Sequence, residues 1–99
     1  MILVRTTFHA KFGQAGRLVQ MFTDVVTMPE SMRLPTRVLT DLSGPLDTVV
    51  VEHVVESVDD YWRRMREMFA HFAAMTQANP LAALVASGHR EYYTIEGEF

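Results

Sequence analysis

The chain has 99 residues, a formal charge of −3 and 48% hydrophobic residues, which describes one soluble globular domain spanning residues 1–99. That size excludes a two-domain enzyme, and the lack of cysteine excludes disulfides, thiolate nucleophiles, zinc–thiolate sites and iron–sulfur clusters. Nine Lys and Arg against twelve Asp and Glu give no overall pull toward nucleic acid or an anionic membrane.

The first predicted element is a strand over residues 2–9, with Ile2, Val4, Thr6 and Phe8 on one face and Leu3, Arg5, Thr7 and His9 on the other. The apolar run before Arg5 is too short for a signal-peptide core, and no run approaches the ~18 residues of a membrane span, so a cytoplasmic location is expected. Leu18, Met21, Phe22 and Val25 recur at helical spacing, and Pro29 ends or kinks that helix. Residues 36–42 alternate as a second strand. Ser43-Gly44-Pro45 supplies a turn, and residues 48–56 are a valine-rich third strand that pairs with the second as a hairpin.

Ser57 and Asp60 form an acidic variant of a capping box, which places the start of the second helix at Val58. Tyr61, Met65, Met68, Phe69, Phe72 and Met75 make its apolar stripe, and Asn79-Pro80 stops it. Most of the seven methionines fall at such spacing and read as adaptable core filler. A short helix over residues 80–86 is closed by Gly88, and residues 89–95 form the last strand.

The order βαββαβ fits an α+β, ferredoxin-like arrangement, a four-stranded antiparallel sheet with two helices on one face. The other face is half apolar, with Leu3, Arg5, Thr7 and His9 beside Val50, Glu52 and Val54. Soluble proteins rarely leave such a patch in water, so a homodimer packed through the sheet is expected. Nucleic-acid binding by the exposed sheet is not expected, because the third strand is valine-rich where a basic, glycine- and aromatic-rich segment is needed and the net charge is negative.

A strand ending Phe-His-Ala-Lys-Phe-Gly before an amphipathic helix, Glu-Ser-Val-Asp-Asp-Tyr opening the second helix, and Ala-Ser-Gly-His-Arg-Glu-Tyr-Tyr-Thr-Ile entering the last strand resemble the dimeric α+β barrel superfamily. NIPSNAP-like and antibiotic biosynthesis monooxygenase-like proteins are the nearest in appearance, although Phe12 stands where proline is usual. The resemblance implies two sheets packed face to face into a barrel around a cavity, and in some members cofactor-free oxygenation. Haem-degrading members use an asparagine on the first strand with a tryptophan and a histidine on the second helix. Here the first strand has Thr6 and Thr7 instead, and Trp62 and His71 lie nine residues apart, about half a turn out of phase on a helix.

Within such a cavity Arg5 and Glu52 can orient an oxygenated ligand or satisfy each other as a cross-strand ion pair. His9 is the candidate catalytic base, Thr7 a polar lining residue, and Tyr92, chosen over Tyr93 because Arg90, Tyr92 and Thr94 form the more polar row, a ligand-facing phenol. His53 falls in the helix-facing row as a hydrogen-bonded core histidine, Trp62 is a rim or interface aromatic, His71 a solvated helix residue, and His89 is placed at a turn. The four histidines lack the spacing of a metal motif, so neither metal nor cofactor is expected. Two readings result. One is a homodimer binding a small apolar or aromatic, polyketide-like compound, with cofactor-free monooxygenation or isomerisation as its chemistry. The other is a non-catalytic structural or interaction module whose barrel is filled by its own side chains.

Overall fold

The computed structural model describes residues 1–24, 29–76 and 80–99. Alternation near the N-terminus produces β1 (Ile2–Ala10), and a turn at Gly13, whose φ of 77° favours a residue without Cβ, leads to α1 (Ala15–Thr23). Pro29 and Pro35 bracket a single 3-10 turn at Glu30–Met32, since each proline removes a backbone donor. There follow β2 (Thr36–Thr40), β3 (Thr48–Val55), α2 (Val58–Thr76), a short α3 (Pro80–Leu84) and β4 (Val85–Thr94). The expected first residue of α2 is found. Ser57 Oγ accepts the Asp60 backbone N–H at 3.1 Å, and Asp59 and Asp60 sit at the positive end of the helix.

The four strands lie in the order β2-β3-β1-β4, all antiparallel to their neighbours. β3 therefore separates the two strands joined through α1, the split βαβ pattern of a ferredoxin-like α+β fold. Register follows the alternation. Val4 lies opposite His53 and Tyr92, and Arg5 lies opposite Glu52 and Glu91. One face consequently carries Ile2, Val4, Thr6 and Phe8 with Val49, Val51, His53 and Val55, and the helices pack on it. Val4, Leu18 and Val49 are fully buried there, and Val55, Tyr61, Met65 and Leu34 close the core beneath α2. Phe8 meets Phe22 of α1 with ring centres 5.1 Å apart.

Two strand ends differ from the sequence expectation by more than one residue, for tertiary reasons. β2 stops at Thr40 rather than residue 42, because Asp41 closes the hairpin onto Thr48 through its N–H (3.2 Å) and its carboxylate (3.0 Å), leaving Leu42 exposed. β4 begins at Val85 rather than residue 89, so α3 ends at Leu84 and Gly88 lies inside a strand. A Cβ at Gly88 would stand 2.9 Å from the Thr7 carbonyl oxygen, so here the glycine permits close approach to β1 and does not end a helix. His89 is likewise a strand residue and not a turn residue. Val25 and the helix stop at Asn79 lie outside the described residues, as do the side chains of Phe72 and Met75. No described helix is long and apolar enough to cross a membrane.

Candidate functional site

The face without helices brings together four of the predicted residues. Arg5 donates from Nε to Glu52 Oε2 at 2.8 Å, and Arg37, from β2, donates to Glu52 Oε1 from Nη2 and, at 3.1 Å, from Nε. Glu52 is only 3% exposed even though no helix covers it, because the two guanidinium groups lie across it. Burial works to raise its pKa, but the hydrogen bonds and charges of Arg5 and Arg37 outweigh that and hold the carboxyl below its ordinary value. Thr7 is buried on the same row, and His9 sits beside His89 with ring centres 6.0 Å apart. The cross-strand ion pair considered for Arg5 and Glu52 is thus present, and it is a three-residue network. Arg37 was missed from the sequence, because alternation places it on the Glu52 face but only the β2–β3 register sets it opposite residue 52.

Tyr92 is not on this face, which corrects the sequence expectation. It lies opposite Val4, and its ring meets Tyr61 of α2 edge-on at 6.4 Å. Tyr93 occupies the open face instead, where the Arg5 guanidinium sits 5.3 Å from its ring centre. The Tyr93 hydroxyl donates to Glu91, which raises its pKa. Polarity misassigned the row because Arg90 is polar yet faces the helices. Its Nε donates to Thr6 Oγ1 at 3.1 Å, and its guanidinium lies 4.8 Å from the Trp62 ring centre and 5.6 Å from that of Tyr61. Stacking on two aromatic faces makes that side of the sheet tolerable for a cation.

His53 is the hydrogen-bonded core histidine that its row predicts. It is 6% exposed, and its Nδ1 lies 2.9 Å from the hydroxyl of Thr36. Burial lowers its pKa to about 4, a bond to the Pro35 backbone opposes this, and the charge of Arg90 adds to the lowering. The imidazole is therefore neutral near pH 7.

The helices cover the sheet unevenly. Val4, Val49 and Val51 are buried, whereas Gly88, Arg90, Tyr92 and Thr94, on the same face, remain exposed, Tyr92 by 41%. Beside them opens a cleft of about 190 Å³ lined by Thr6, Phe8, Gly88, His89 and Arg90, none of them acidic. Trp62, 37% exposed, stands over Arg90. Such a site offers aromatic walls, a hydroxyl and a fixed cation. Trp62 and His71 project about half a turn apart from α2, so the two side chains do not face one ligand. Among the described residues no group of three His, Asp or Glu side chains converges on a metal position.

No family model matches the chain, and no curated protein sequence does. Solved structures do match. A NIPSNAP domain protein from Burkholderia xenovorans aligns over 96% of this chain and 94% of its own, with a TM-score of 0.73 and 14% identity. An antibiotic biosynthesis monooxygenase-like protein from Deinococcus radiodurans aligns over 100% and 96%, with a TM-score of 0.64 and 23% identity. A variant of MhuD with two manganese protoporphyrin IX molecules bound per active site aligns over 100% and 98%, with a TM-score of 0.79 and 13% identity. The chain has the ferredoxin-like α+β fold that NIPSNAP-domain and antibiotic biosynthesis monooxygenase-like structures share.

Proposed function

We propose that the protein is a homodimer, assembled through its open sheet face, in which each subunit binds a small, partly apolar aromatic molecule in the cleft on the helix side of β1 and β4. The uneven helical cover carries this reading. It leaves Arg90, Tyr92 and Gly88 exposed beside Trp62, on a sheet face whose other half is sealed. Binding sites are mostly apolar concavities with a few placed polar groups, and the cleft matches that composition at modest size.

The open face suits a second copy better than a ligand. Its charges, Arg5 and Arg37 against Glu52 and Glu91, balance, so a two-fold interface brings the face onto itself without net repulsion. Leu3, Leu39, Val50, Val54 and Tyr93 supply apolar surface around the network. In this reading Arg5, Thr7 and Glu52 belong to the interface. His9 lies across the sheet from the cleft, so the function proposed is binding and not base catalysis by His9.

The test is a titration with 2-naphthol followed by amide and indole nitrogen–proton spectra. Shifts at Thr6, Phe8, Gly88 and Arg90 and at the Trp62 indole are the expected result. Shifts confined to Leu3, Arg5, Thr7, Val50 and Glu52, or no shifts, would overturn the cleft as the site.

A further inference from the structure

Arg90 differs from the other arginines whose contacts are defined. Arg5 and Arg37 reach Glu52, and Arg63 and Arg64 reach Asp60. Arg90 reaches no carboxylate among the described residues. Its Nε is committed to Thr6 Oγ1, and its guanidinium rests against two adjacent aromatic rings, Trp62 at 4.8 Å and Tyr61 at 5.6 Å. Tyr61 is itself only 2% exposed and held in the core, so the guanidinium rests on a rigid support. What remains is the outer edge of the fork, the pair of terminal nitrogens that binds a carboxylate in a bidentate manner.

The cleft around it contains no competing anion. Thr6, Phe8, Gly88 and His89 complete its lining, and Glu91, the nearest carboxylate in sequence, belongs to the opposite face of the sheet. Phe8 adds an aromatic wall, and Gly88 presents only backbone beside it. A volume of about 190 Å³ suits one or two fused rings.

We propose that the ligand of this cleft is a planar aromatic carboxylic acid whose carboxylate is held by the outer edge of Arg90 while its ring lies against Phe8 and the backbone at Gly88. The inference rests on the cleft reading given above and adds the ligand's charge and the residue that recognises it. Arg90 is a preorganised anion receptor here, because Thr6, Tyr61 and Trp62 fix its orientation before the ligand arrives.

The experiment compares 2-naphthoate with its neutral isostere 2-naphthamide, by calorimetry and by the Trp62 indole signal, in the wild-type protein, Arg90→Gln and Arg90→Lys. The wild type should bind the acid about tenfold tighter than the amide, as a charge-assisted bidentate contact provides. Arg90→Gln should bind both alike, a ratio that is independent of any general weakening of the cleft, and a Trp62 indole shift on adding the amide shows that the cleft is still formed. Arg90→Lys should keep part of the preference, since it retains charge but loses the fork. Equal binding of acid and amide by the wild type, or an acid preference that survives in Arg90→Gln, overturns the role of Arg90 and leaves the cleft standing. Binding of neither compound overturns both.

Discussion

His53 shows how a single side chain ties burial to pH. With a folded pKa of about 4 against an ordinary value of 6.5, the unfolded chain binds the extra proton first as pH falls. Stability from this group is therefore complete above about pH 6.5 and drains away as pH drops through 6.5 toward about 4, at up to about 1.4 kcal/mol per pH unit. The depressed pKa of Glu52 acts in the same direction but only below its ordinary value of 4.5, so the two windows are separable. Urea unfolding between about pH 7 and about pH 4.5 should show the wild type losing roughly 2–3 kcal/mol, while His53→Gln, which cannot take up the proton, loses much less. Parallel pH dependences in the two proteins would contradict a buried neutral imidazole. The same residue illustrates what was readable in advance. Its place in the alternation of β3 predicted a satisfied core histidine, whereas Tyr92 was misplaced, because polarity alone does not reveal that Arg90 spans from Thr6 to Trp62 across three elements.

At the scale of elements, Gly88 decides how closely β4 approaches β1. Gly88→Ala places a methyl group 2.9 Å from a backbone carbonyl that cannot move aside like a flexible side chain, and should destabilise the protein by about 1–3 kcal/mol. Gly16→Ala in α1 meets nothing within 4 Å, and should be neutral or stabilising by up to about 1 kcal/mol. Thermal unfolding of the two variants side by side checks the contrast, and equal midpoints would refute the packing argument. Element order and most boundaries were legible because hydrophobic periods of two and 3.6 residues are local properties. The early start of β4 was not, because residues 85–88 become strand only by pairing with β1, Gly88 and Ser87 with Phe8 and His9 and, past a register shift, Val85 with Ala10.

For the whole molecule, the open face predicts assembly. The expected mass in solution is twice 11.3 kDa, read by native mass spectrometry or sedimentation. Leu39→Glu, on a residue already 40% exposed in the single chain, should leave the fold intact and yield monomer, because two-fold symmetry sets the new carboxylates in one apolar interface. A wild-type monomer would remove the open face from the proposed function without touching the cleft.

The sequence by itself determined the layer architecture, the rows of side chains along β1 and β3, the cap that starts α2 and the placing of Arg5 and Glu52 on one face of neighbouring strands, all of which depend on spacing along the chain. Only the tertiary structure decided that Arg37 completes the Glu52 network, that Tyr93 and not Tyr92 shares the open face, and that the helices leave β4 uncovered above Arg90. Those outcomes depend on register and on how far a helix of fixed length reaches across a sheet, and neither quantity is local to the residues that reveal it.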